Sequence, residues 1–289
     1  MKVGFVFTNY NNSIYTRNAV NSIYSSSKST DSLVVIVDNR SDESDLESLK
    51  SIKSDYPEIN IIYNKENVGY FSGLNVGIRY IRDSQPDIKH IVIGNNDLVF
   101  PDDFIESIQT RGESFYSHAV ISPDLITLDG VHQNPHVISD ISKIREFIWD
   151  VYYTNYYFTI LINAIARATR KLTERKDFEE YHIPRKVAQG YGACYILGPI
   201  FFENFDSLWA PTFLMGEEFF LTKQLNGKNL HVYYDPIFKI FHHDHATMGK
   251  LPNKELWKIS KQAHKVYRQY VRPFWMIGSS SDVKYPESK

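Results

Sequence analysis

Five polar clusters combine residue types that could do chemistry. Thr8-Asn9-Tyr10-Asn11 and Asp38-Asn39-Arg40-Ser41-Asp42 each follow a short apolar run. A carboxylate in such a place can accept the N–H of a uracil or thymine ring, or bind ribose hydroxyls. The alternative is an Asx turn. Asn95-Asn96-Asp97 closes another apolar run. One carboxylate there can ligate Mg²⁺ or Mn²⁺, which take oxygen ligands and share them with a diphosphate. Otherwise Asp97 is a turn residue. Gly216-Glu217-Glu218 opens a helical pattern. Its adjacent carboxylates point about 100° apart, so at most one faces a pocket easily. Negative charge at a helix N-terminus is the plainer explanation. His242-His243-Asp244-His245 follows the apolar Ile237–Phe241. A histidine there can ligate a metal or contact phosphate. A histidine-rich zinc site lacks an evident fourth ligand.

Asn67-Val68-Gly69-Tyr70-Phe71-Ser72-Gly73-Leu74-Asn75-Val76-Gly77 is denser. Its glycines recur every four residues and share one face of a helix, where a backbone or a ligand can approach closely. The start of such a helix can also hold an anion. Close helix–sheet packing is the alternative. No Walker lysine or GxGxxG fingerprint is present.

These clusters need a frame. Lys2–Phe7, Leu33–Val37, Ile59–Tyr63 and His90–Ile93 read as strands. Ser13–Tyr24, Asp45–Ser54 and Gly69–Arg82 read as helices, with Ser13 as a cap. The alternation predicts a parallel α/β sheet with helices on its faces. Ligands bind at the carboxyl ends of such strands, where three of the clusters fall. Later, Ala119–Ser122, Val187–Leu197 and Leu230–Tyr234 read as strands. Two helical stretches fall in Ile141–Lys171, a helix in Glu217–Asn226 and a long one in Asn253–Tyr270. One domain is expected over 1–250. Its nucleotide half is 1–100 and its second half 101–250, with a helical insertion at about 140–180. A C-terminal amphipathic helix and tail occupy 251–289.

Composition narrows the classes. The chain carries 43% hydrophobic and 23% charged residues, a globular balance. Its net charge of −2 argues against nucleic-acid binding through bulk positive charge. The single cysteine, Cys194, makes no internal disulfide and predicts a reducing compartment. The first apolar run is too short for a signal peptide, and no stretch is long enough to span a membrane. A cytoplasmic protein is expected. Aromatic residues reach 15%, so some rings should face a ligand or an interface.

The set resembles family 2 glycosyltransferases of the GT-A fold, especially the branch with bacterial rhamnosyltransferases. Phe7–Asn11 is similar to the opening strand and nucleotide loop. Val37–Asp42 is similar to the "DNxSxD" stretch, and Asn67–Gly77 to "NxGxxxxxNxG". Ile93–Asp97 resembles the metal motif in its "NND" form. Gly192-Ala193-Cys194 and Phe213–Leu221 resemble the acceptor-site strand and the "ED" helix. His242 through Thr247 resembles the "HxxGxS" ending, with His245 and Thr247 in place of Gly and Ser.

The resemblance implies a mostly parallel Rossmann-like central sheet with helices on both faces. It implies inverting transfer from a nucleotide sugar, UDP- or dTDP-linked, to a glycan or lipid-linked acceptor, in bacterial surface polysaccharide synthesis. Glu218 matches the base, with Glu217 beside it. Asp97 matches the ligand of a Mn²⁺ or Mg²⁺ ion and His242 a second ligand. Thr8, Asn9, Tyr10, Asp38, Asp42, Asn67, Gly69, Asn75, Asn95 and Asn96 match donor contacts. The family usually has Asp where Glu218 stands, which moves the carboxylate by about one methylene.

Asn163–Lys176 holds Arg167, Arg170, Lys171, Arg175 and Lys176 against Glu174, after an aromatic stretch. That combination predicts an interfacial helix on an anionic membrane and a peripheral location. Lys254, Lys258, Lys261, Lys265 and Arg268 form one helical stripe, read as a solvated face. Two other readings compete. A sugar nucleotidyltransferase would need a Gly-rich basic loop after the first strand, which Phe7–Asn12 lacks. A non-catalytic carbohydrate-binding or scaffold protein would not need Asp97, Glu218 and His242 together.

Overall fold

The computed structural model describes residues 1–111, 117–138, 143–168, 180–243, 253–271 and 273. The N-terminal half alternates as expected. It runs β1 (Val3–Asn9), α1 (Ser13–Ser25), β2 (Ser32–Asp38), α2 (Glu43–Asp55), β3 (Asn60–Tyr63), α3 (Tyr70–Ser84) and β4 (His90–Asn95). Short β5 (Leu98–Val99), α4 (Phe104–Thr110) and β6 (Val120–Thr127) follow. A helical hairpin comes next, α5 (Lys143–Thr154) and α6 (Tyr156–Ala168). The rest is β7 (Arg185–Val187), β8 (Cys194–Leu197), α7 (Pro199–Asn204), α8 (Glu217–Asn226), β9 (Val232–His242) and α9 (Asn253–Tyr270).

The strands form one sheet in the order β3-β2-β1-β4-β8-β6-β9-β5, with β7 also paired to β9. β1 to β4 are mutually parallel, and β6 is parallel to β9. β8 runs antiparallel between β4 and β6. This mixed, mostly parallel α/β sheet with helices on both faces has the architecture of a GT-A fold. The alternation of β1 divides the core. Phe5 and Phe7 pack one face with α1, α2 and Phe104. Val6 packs the other with Leu74, Ile78 and Leu221. Complete burial of β-branched runs such as Val34–Val37 suits central strands covered on both sides.

Three expectations are corrected. Val187–Leu197 is not one strand. Its first residue, Val187, ends the strand that pairs with β9, and its last residues pair with β4 and β6, so the chain must leave one partner to reach the others. Ser13 is not a cap: Asn12 holds that position, and the Ser13 amide donates to Asp45 Oδ1 at 2.8 Å. The strand expected at Leu230–Tyr234 runs on to His242, with a register jump against β6 between Pro123 and Asp124.

The C-terminal helix packs on the domain. Arg268 Nε lies 2.6 Å from Asp150 Oδ1 in α5, and the Tyr267 ring sits 4.6 Å from that of Phe219 in α8. Of the basic and terminal motifs, Arg170, Lys171, Glu174, Arg175, Lys176, Asp244, His245 and Thr247 lie outside the described residues. No described helix is long and apolar enough to cross a membrane.

Candidate active site

The polar clusters at the ends of β1, β2 and β4 meet, and a buried network joins them. Register places Asn9 beside Asp38 and Thr8 beside Asn95. Asn9 Nδ2 donates to Asp38 Oδ1 at 3.0 Å and to Asp45 Oδ2 at 2.6 Å. Thr16 Oγ1 donates to Asn9 Oδ1 at 2.8 Å. Asn96 Nδ2 donates to Asn12 Oδ1 at 2.8 Å and to Thr16 Oγ1 at 2.6 Å. Asp38 also accepts from the Ser41 amide and hydroxyl. Buried polar atoms need such partners. Asn9, Asp38 and Asn96 therefore hold the strand ends in register. Asn12, Thr16 and Asp45 complete this network and carried no separate signal, because each reads locally as a turn or helix residue.

The other donor candidates divide. Asp42 is the N-cap of α2, accepting from the Asp45 amide at 3.0 Å. Asn75 exchanges two 2.8 Å hydrogen bonds with the backbone of Leu208. Asn67 accepts from the Gly69 amide, and Gly69 starts α3 at a φ of 89°. A Cβ on Gly69 would stand 2.1 Å from the Phe213 carbonyl oxygen, so no other residue fits. Gly73 and Gly77 serve close packing on Thr8 and Val6. Thr8 and Asn95 are half-buried and Tyr10 is exposed, all at the strand ends.

Asp97 and His242 form a second centre. β5 pairs with β9 so that Leu98 stands opposite His242. Asp97 Oδ1 and His242 Nε2 lie 3.2 Å apart, both buried. Their geometry is not that of a hydrogen bond, and neither atom has another partner among the described residues. His242 Nδ1 lies 2.6 Å from Gln133 Oε1. With that oxygen assigned towards the ring, Nδ1 carries the proton and Nε2 presents a lone pair to the carboxylate. Two facing electron-pair donors suit a shared cation. No group of three or more His, Cys, Asp or Glu side chains that could hold a metal occurs among the described residues. A cation here would complete its shell with non-protein oxygens, as Mg²⁺ does with water and phosphate.

Glu217 and Glu218 form the third centre. Met215 and Gly216 both adopt positive φ, 75° and 85°, and turn the chain sharply into α8. Glu217 is buried and its Oε1 has no partner among the described residues. Burial, then the neighbouring Glu218 charge, raises its pKa to about 8. Burial also raises that of Glu218. Glu218 Oε1 accepts from the Gly192 amide at 3.2 Å. A Cβ on Gly192 would lie 2.5 Å from that oxygen, so the glycine makes room for the carboxylate.

One short segment links all three centres. The Tyr191 ring lies 6.1 Å from that of His242. Gly192 meets Glu218, and its carbonyl accepts from the Tyr70 hydroxyl at 3.0 Å. The Ala193 carbonyl accepts from the Asn95 amide at 2.9 Å. Burial raises the pKa of Tyr70 well above the usual value, and the charges of Glu217 and Asp97 add to it. Sequence reasoning noted the Gly192-Ala193-Cys194 strand but missed Tyr70 and Gln133, whose roles rest on long-range contacts.

Comparison with known proteins identifies the family. The model of glycosyl transferase family 2 matches residues 5–180, and the chain belongs to that family. No curated protein matches the chain. Among solved structures, it is similar to S. aureus TarS 1-349, with a TM-score of 0.48 and 12% identity. The match covers 82% of this chain and spans only 60% of that one.

Proposed function

We propose that the chain is an inverting glycosyltransferase. It moves a sugar from a UDP- or dTDP-linked donor to a hydroxyl of a glycan or lipid-linked acceptor in surface polysaccharide synthesis. Membership of family 2 supports the reaction class. The observation that carries the reading is the Tyr191–Ala193 segment, which brings the Glu217–Glu218 pair and the Asp97–His242 pair to one set of strand ends.

Glu218 takes the proton of the acceptor hydroxyl. The acceptor oxygen then bonds to the anomeric carbon from the face opposite the leaving group. The bond from that carbon to the diphosphate oxygen breaks, and its electron pair leaves on the nucleoside diphosphate. A raised pKa makes a carboxylate a stronger base near neutral pH. Glu217, protonated below about pH 8, limits charge repulsion on Glu218. Asp97 and His242 would hold a Mn²⁺ or Mg²⁺ ion, which stabilises the charge of the leaving diphosphate when bound. Thr8, Tyr10, Asn67 and Asn95 line the donor side. Asn9, Asp38, Asp42, Asn75 and Asn96 act there by holding the loops, and Gly69 by its backbone. A cytoplasmic location against the inner face of the plasma membrane suits a lipid-linked acceptor.

Thermal unfolding with UDP, dTDP, GDP and CDP, each with and without Mn²⁺, tests the donor class. A ligand at 100 times its Kd adds about 2.7 kcal/mol. Stabilisation by UDP or dTDP that needs Mn²⁺ is expected. Glu218→Gln should keep that shift and lose at least about 10²-fold in transfer. A variant that still transfers at the normal rate would sink the base assignment.

A further inference from the structure

We propose that the α5–α6 hairpin and the lysine stripe of α9 form one docking surface for an anionic phospholipid bilayer. Large apolar side chains of the hairpin face solvent, among them Ile144, Ile148, Tyr157, Phe158, Ile160 and Leu161. Tyr157 is 78% and Ile144 74% exposed. Exposed apolar groups on this scale mark an interface. On α6 the spacing of Tyr157, Ile160 and Leu161 makes a single stripe.

Charge selects the occupant. The hairpin and α9 together hold eight Lys and Arg against three Asp and Glu, in a chain whose net charge is −2. All three acids are engaged. Glu146 and Asp150 pair with Arg268, and Glu255 with Lys258. The lysine stripe is joined to the hairpin. Lys261 Nζ donates to the Thr154 carbonyl at the end of α5 at 3.0 Å, and its ammonium sits 4.8 Å from the Trp257 ring centroid. Trp257 in turn packs edge-on against Tyr156 at the start of α6. Lys254, Lys258 and Lys265 are exposed along the same stripe. Between hairpin and helix lies a cavity of about 350 Å³ where Lys261, His264, Lys265 and Arg268 surround the one carboxylate of Asp150. A cationic cleft beside an apolar face matches the headgroup and acyl boundary of an anionic leaflet. A second copy of this chain would bring its own positive cluster against this one.

The surface extends the membrane-side part of the proposed function, and its test reads binding rather than turnover. Failure of sugar transfer would leave it standing, and its failure would leave the catalytic reading standing. The full chain is floated with vesicles of phosphatidylcholine alone and of phosphatidylcholine mixed with phosphatidylglycerol. It should float with the mixed vesicles only, and less as salt rises. Lys258→Gln with Lys265→Gln should weaken binding about thirtyfold, at about fivefold per lysine. Ile160→Ser with Leu161→Ser should release the protein at any salt, with the nucleotide-dependent thermal shift intact. No flotation, or equal flotation with phosphatidylcholine alone, overturns the proposal. So does a concentration-dependent dimer in lipid-free solution that the Ile160→Ser, Leu161→Ser variant dissolves, since that assigns the face to a second copy.

Discussion

A carboxyl group buried beside a second carboxylate holds its proton to higher pH than a solvated one, and Glu217 is such a case. The consequence for stability has a definite sign. The folded state binds the proton up to about pH 8. The unfolded state releases it near pH 4.3. Between those values the unfolded state binds fewer protons, so stability falls as pH rises. Below both values the group contributes nothing. Glu217→Gln should therefore flatten the loss of Tm from about pH 5 to 8 and leave the variant more stable than the parent at about pH 8. The gain is on the order of 2–4 °C for each kcal/mol recovered. Equal Tm profiles for the two proteins would show that Glu217 is ionised and paired. Gln133 and Gly192 act at the same scale. One orients His242, and the other leaves room for the Glu218 carboxylate. Neither residue type signals such a role by itself.

Among the elements, α3 shows how packing overrides propensity. Alanine is the better helix former by about 1 kcal/mol. A Cβ on Gly77 would nevertheless stand 2.3 Å from Val6 Cγ1 in β1. Overpacking of this kind costs about 1–3 kcal/mol. Gly77→Ala should thus be net destabilising in urea unfolding. Adding Val6→Ala should return part of the loss, because the two sites share one contact. A stabilised single variant would mean that α3 shifts without cost. The glycine spacing was legible in the sequence, and so was the choice between ligand approach and sheet packing. The structure resolves Gly73 and Gly77 to packing. The β-strand runs of the first half were legible because buried parallel strands are continuously apolar. The split of Val187–Leu197 and the two-residue β5 were not. Strand partners there are set by contacts across the chain, and local pattern does not encode them. At Asp97, Glu217, Glu218 and His242 the residue types that make up the candidate site were legible. The Asn9–Asp45–Thr16–Asn96 network was not, since hydrogen bonds between side chains of separate elements leave no period in the sequence.

Taken as a whole, the molecule cannot be divided where the family match ends. Residues 5–180 match the family model, yet β8 lies in the middle of the sheet between β4 and β6. Glu218 and His242 also come from beyond residue 180. A fragment ending at residue 180 would lack the central strand that joins the two halves. It should show no cooperative unfolding transition and no nucleotide-induced stabilisation. A cooperative transition in that fragment would mean that β4 and β6 find each other without β8.

The place of β8 also bears on how the chain is made. β4 ends at Asn95, and the strand that covers its free edge begins at Cys194. Ribosomes add about 5–20 residues per second, so the interval between them lasts on the order of 5–20 s. Throughout that time the newborn chain carries an apolar strand with open backbone groups, a template for pairing with other chains. The same late arrival keeps Asp97 without His242 until the second residue emerges, so the growing polypeptide cannot bring the two together before its fold is nearly complete.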